Sequence, residues 1–152
     1  MNSVVRSAAA MRAQIQADAA KTGIDDAYIS LLVDTFYARI RKDPVLGPIF
    51  ENAIDDNWDH HLTQMKDFWA SVALNAGRYS GNPVPKHRKL NEDTPTVQPS
   101  HFNIWLALFR ETLEATAPSP AVVEHFMERA ERIANSLQLA MFGIPGLGDT
   151  SQ

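Results

Sequence analysis

DDAYISLLVDTFYARIRKDP, residues 25–44, places apolar side chains at Ile29, Leu32, Val33, Phe36, Tyr37 and Ile40 and polar ones at Ser30, Asp34 and Arg41. This is the 3.6-residue period of an amphipathic helix with one buried face. Asp25 is a suitable N-cap, since its carboxylate can accept from the free amides of the first turn. The helix should stop near Asp43, because Pro44 disfavours helical geometry in the residue before it.

The same period returns on both sides of this stretch. Residues 4 to 20, alanine-rich with Arg6, Arg12, Gln14 and Asp18, read as a weakly amphipathic helix closed by Thr22-Gly23. From Asn57 to Ala76, His61, Met65, Phe68 and Val72 share a face flanked by Leu62, Trp69 and Ala73, opposite His60, Gln64, Asp67 and Ser71. Ser100 is the expected cap of a helix to Ala115 carrying Phe102, Trp105, Leu106, Phe109 and Leu113. Ser119-Pro120 opens a last helix with Val122, Phe126, Ala130, Ile133, Leu137, Ala140 and Met141 inward, ended by Gly143 and Pro145. No alternating strand pattern occurs, so the expected class is all-α.

Two segments break the period. Pro44 to Asn57 holds Pro44, Gly47 and Pro48 among Val45, Leu46, Ile49 and Phe50, and is expected to be an irregular apolar corner. Gly77 to Gln98 leaves room only for a short helical turn around Pro85 to Leu90. Ordered loops of that length in a compact domain are usually functional.

The 152 residues fit one domain, which at this length should bury about 68–70% of its unfolded surface. A net charge of −4 argues weakly against a nucleic-acid partner. Zero cysteines exclude disulfides, thiolate metal sites, iron–sulfur clusters and the covalent attachment of c-type haem. Neither a signal-type apolar core nor a run of ~18 apolar residues is present, so no membrane partner is expected and the expected location is the cytoplasm.

The histidines sort by helical face. His60, His101 and His125 fall on polar faces or in a first turn and are expected at the surface. His61 lies on an apolar face, which fits either a buried imidazole bonded to a carbonyl or a group facing a ligand. His87, between Lys86 and Arg88 in a proline-framed run, fits either a solvated group in a basic loop or a metal ligand. Tyr37 and Trp105 fit core packing with a backbone partner, or polar tips aimed at a ligand. Together with His61 they bring three such tips into an apolar interior, where an unpaired one costs ~1–3 kcal/mol.

Over about residues 26 to 142 the chain resembles the truncated haemoglobins, specifically their third group. The likeness runs through Asp34-Thr35-Phe36-Tyr37, Arg41-Lys42-Asp43-Pro44-Val45-Leu46-Gly47-Pro48-Ile49-Phe50 and Trp58-Asp59-His60-His61. It continues through Phe68-Trp69, Tyr79-Ser80-Gly81-Asn82-Pro83, Lys86-His87 and Phe102-Asn103-Ile104-Trp105-Leu106. The resemblance implies a shortened globin, helices packed two over two around a non-covalent b-type haem, in a domain over 26–146 with an N-terminal helical extension (1–25) and a tail (147–152). It makes Tyr37, His61 and Trp105 the distal side chains, Phe50 a phenylalanine wedged against the haem, and His87 the proximal iron ligand. Phe36, Met65, Phe68, Trp69 and Lys86 complete the expected cofactor contacts. The paired-glycine motifs of other truncated haemoglobin groups are absent, in keeping with the third group.

Function expected on this basis is binding of oxygen, nitric oxide or carbon monoxide by a monomer, with hydrogen bonds from the distal side slowing oxygen release. Slow release suits redox chemistry with nitric oxide or peroxide better than transport. A nitric oxide dioxygenase or weak peroxidase would need an external reductant, because the chain carries no reductase domain. A haem-free helical interaction module is the alternative from another class.

Overall fold

The computed structural model describes residues 8–11, 13–14, 23–74 and 97–143, and among these it is helical with no strand. Five helices follow in order: α1 (Asp26–Lys42), α2 (Leu46–Ile54), α3 (Trp58–Leu74), α4 (Pro99–Thr116) and α5 (Pro120–Phe142). Of the expected N-terminal extension, residues 8–11 and 13–14 are helical and exposed. The expected 147–152 tail lies outside the described residues.

Helix α1 forms as its sequence requires. The Tyr28 amide donates to Asp25 Oδ1 at 2.8 Å, Asp26 sits in the first turn, and Arg39, Arg41 and Lys42 complement the negative end of the helix dipole in the last. Its buried residues are Tyr28, Ile29, Leu32, Val33, Phe36, Tyr37 and Ile40. Asp43 then serves both neighbours: its amide closes α1 on the Ile40 carbonyl, and its carboxylate accepts from the amides of Val45 and Leu46.

The expected irregular corner is largely a helix, α2. Pro48 occupies its third position, where an amide hydrogen has no helical partner to lose, so this proline does not break the helix. Gly47 lets α2 start against the end of α1, since a Cβ there would lie 2.8 Å from the Arg41 carbonyl oxygen. The expected Ser100 cap is likewise corrected. Helix α4 begins two residues earlier than that cap implies, at Pro99, whose missing amide hydrogen is harmless at the first position, and Gln98 is the N-cap.

Helices α4 and α5, joined across Ala117–Ser119, run antiparallel, bringing Phe102 at the start of one within 6.3 Å of Phe142 at the end of the other. Helix α1 packs on α2, α3 and α4, and α3 crosses to α5, which gives two layers of paired helices. At their centre Trp69 stacks on Phe109 at 5.0 Å, with Phe36 edge-on to Phe109 at 4.9 Å and Phe126 beside Trp69. Trp69 is 2% exposed and Phe109 1%.

Candidate functional site

Beside this aromatic core is a cavity of about 310 Å³ to which all five helices contribute. Its walls are mainly apolar, with Leu46, Phe50, Met65, Phe68, Ile133 and Leu137 among them, and its polar groups come from Tyr37, His61, Gln64, His101 and Trp105. A hydrophobic cleft at the lower end of the ~300–1,000 Å³ range with a few convergent polar groups is the usual form of a cofactor or small-molecule site.

Tyr37 and His61 form the centre of the polar set. Antiparallel packing of α1 on α3 brings their rings to 5.0 Å at 87°, edge to face, and His61 Nε2 is sheltered from solvent. Phe50 on α2 approaches Tyr37 at 6.0 Å. Tyr37 is 5% exposed, and burial pushes its phenol well above the usual tyrosine range, so it remains a protonated donor at any ordinary pH. Trp105 stacks on Phe109 at 5.6 Å and 10°, which fixes the indole plane at the cavity edge.

The remaining expected site residues divide cleanly. Met65 and Phe68 line the cavity, and Trp69 reaches it from the core. Phe36 stands behind the wall, against Tyr37, Trp105 and Phe109. Lys86 and His87 lie outside the described residues.

Three expected surface assignments are corrected. Gln64 lines the cavity, being three residues after His61 and so on nearly the same face. His101 lines it too, one turn before Trp105; its Nδ1 accepts from the Gln98 amide at 3.1 Å, which leaves the proton of the neutral ring on Nε2. Helical spacing from the residues already singled out was the available signal for both. His125 is half-buried because α5 faces the end of α3. There His125 Nε2 lies 3.4 Å from the Ala73 carbonyl oxygen, while Arg129 donates to that of Val72. Burial, reinforced by the Arg129 charge, holds the His125 imidazolium below the ordinary histidine range.

The chemistry of these donors fits a flat apolar cofactor better than a bare metal ion. Among the described residues no three histidine, cysteine, aspartate or glutamate side chains converge, whereas the aromatic and aliphatic walls suit an apolar ring and the phenol, imidazole and indole suit a small polar ligand beside it. Among the same residues no helix is long and apolar enough to cross a membrane.

No protein-family model matches the chain. It is 36% identical over 126 residues to a group 3 truncated hemoglobin, ctb, of Campylobacter jejuni, an alignment spanning 81% of this chain and 95% of that protein. It also resembles the crystal structure of a group III truncated hemoglobin from Campylobacter jejuni, with a TM-score of 0.70 at 36% identity, covering 78% of this chain and 92% of the other.

Proposed function

The chain belongs to the group III truncated haemoglobins, and from that premise we propose that it is a b-type haem protein that binds oxygen and other diatomic ligands, holds them with distal hydrogen bonds and uses them in oxygen and nitric oxide redox chemistry. The observation that carries this reading is the Tyr37–His61 pair in the wall of an otherwise largely apolar cavity.

Haem, when bound, supplies an iron that takes a diatomic ligand and exchanges electrons with it. The chain's own residues divide the rest. Phe50, Met65, Phe68 and Trp69 would offer apolar and aromatic surface to the ring, and His87 would hold its iron, the role that the family likeness implies. Tyr37 donates from a phenol that burial keeps protonated, and Trp105 from an indole nitrogen that can only donate. In a dry site such donors favour a ligand that has gained negative charge, and therefore oxygen over the less polar carbon monoxide. His61 would add a third contact to the ligand, gate its entry or itself bind the iron.

Slow oxygen release suits turnover, in which nitric oxide, oxygen and one electron give nitrate. The electron comes from an external reductant, and we place the reaction in a cytoplasmic monomer.

Absorption spectra of the ferric, ferrous and oxygen-exposed protein test the reading. The expected result is a Soret band that shifts on reduction and again on exposure to oxygen. A purified chain without a Soret band even after haem is added overturns it and leaves the helical interaction module.

A further inference from the structure

Beside the Tyr37–His61 pair is a second constellation that joins the three helices of the distal wall. Glu51, on α2, uses both carboxylate oxygens: Oε1 accepts from the Trp58 indole of α3 at 2.9 Å, and Oε2 accepts from Arg41 Nε of α1 at 2.9 Å. The Arg41 guanidinium carbon lies 4.3 Å from the centre of the Trp58 ring, so each of the three side chains touches the other two.

Each member is adjacent to a cavity residue along the chain. Arg41 is one helical turn after Tyr37, Glu51 follows Phe50, and Trp58 is one turn before His61. Trp58 also makes edge contacts with both distal rings, at 6.1 Å to Tyr37 and 5.9 Å to His61. The Arg41 and Glu51 side chains are 46% and 44% exposed, and an ion pair in that setting contributes little to stability. What the triangle does constrain is geometry, because a carboxylate held from two sides fixes the spacing of α1, α2 and α3 at the level of Tyr37, Phe50 and His61.

We propose that Arg41, Glu51 and Trp58 form a clasp that sets the Tyr37 hydroxyl and the His61 imidazole relative to each other, and thereby the rate at which a polar diatomic ligand leaves the cavity. They are positioning residues, acting through Tyr37 and His61. The inference rests on the haem reading for its kinetic consequence and on the haem-free chain for its geometric one.

The test is a double-mutant cycle on the haem-loaded protein, read by oxygen off-rate in stopped flow and by the infrared stretch of bound carbon monoxide. Glu51→Ala is expected to speed oxygen release roughly fivefold and to broaden or split the carbon monoxide band. In a Tyr37→Phe background the same change is expected to add almost nothing, because its effect passes through the phenol. Trp58→Phe keeps the ring and loses the donor, and should move both readouts in the same direction by less.

Glu51→Gln has the same shape and keeps an acceptor for Trp58, and replaces Glu51→Ala if that variant fails to fold. Unchanged off-rate and carbon monoxide band in Glu51→Ala, or effects of Glu51→Ala and Tyr37→Phe that simply multiply, overturn the clasp. Should the chain take up no haem, the function proposed above fails, and the clasp is then judged by nuclear Overhauser contacts between the Tyr37 and His61 rings in the haem-free protein. Those contacts are expected to weaken in Glu51→Ala, and their persistence at full strength overturns the clasp independently of haem.

Discussion

Along α3, Ala70 and Ala73 are sealed into the core and Trp69 packs there against Phe109 and Phe126 while also reaching the cavity, whereas His61, Gln64, Met65 and Phe68 line the cavity. The two faces belong to one helix and are rotated from one another by rather more than a third of a turn at ~100° per residue. The core face holds only apolar and aromatic surface, and its rings stack. The cavity face mixes an imidazole and an amide with apolar side chains, and meets a phenol from α1 and an indole from α4. Dehydrated polar tips weaken a core unless something accepts their hydrogen bonds. The difference therefore separates a region built for stability from one built for a ligand, and each prediction below strains one side of it.

The largest expected effect is all or none. His87→Ala should lose the Soret band or hold haem so weakly that it exchanges into another globin, while His61→Ala should keep the band and change ligand kinetics, both read by absorbance and stopped flow. Equal haem retention in the two variants breaks the division of labour between proximal and distal imidazoles.

On the core side, Phe109→Ala should cost ~3–5 kcal/mol in denaturant unfolding, because the ring is buried against Phe36, Trp69 and Trp105. On the cavity side, Tyr37→Phe should barely alter stability near neutral pH but speed oxygen release by on the order of tenfold to a hundredfold. Trp105→Phe should act in the same direction, and an unchanged off-rate in both variants removes the donor assignment.

Alkali offers a second view of Tyr37. Its folded phenol ionises above the ordinary value of 10.0, so the unfolded chain loses that proton first and stability should fall as pH rises past 10. Tyr37→Phe should flatten part of that fall in unfolding experiments; Tyr28, also raised by burial, contributes in the same direction.

The smallest effect concerns His125 of α5, whose ring reaches the last turn of α3. Its folded pKa is depressed below 6.5, so the unfolded chain binds the proton more readily and stability should decline as pH drops below that value. His125→Gln retains a donor for the Ala73 carbonyl and should give a shallower decline in thermal unfolding between about pH 7 and pH 5. An unchanged slope sinks this assignment.

Much of this comparison was legible in the sequence. The face of α1 from Ile29 to Ile40 and the Asp25 cap are as the period and the cap chemistry require. The grouping of His61, Met65 and Phe68 on one face of α3 was also readable, because helical spacing is local. Periodicity did not distinguish a face against packed side chains from a face against a cavity, since both want apolar residues at the same intervals. Polarity alone puts Gln64 on the wrong side of that boundary, and a place in a first turn does the same for His101. Helix α2 was hidden by Pro44, Gly47 and Pro48, which read as breakers until Leu46 is known to be the first helical residue.

The sequence by itself determined the helical faces, most of their ends, the absence of thiol chemistry and the family likeness, because each depends on residues within a few turns of one another or on their order along the chain. Only the tertiary structure decided that Tyr37 meets His61 edge to face, that Glu51 bridges Arg41 and Trp58, and that His125 reaches the last turn of α3. These contacts join side chains on separate helices. Their distances follow from how α1, α2, α3 and α5 cross, which is set by the packing of the whole core and by no single stretch of the chain.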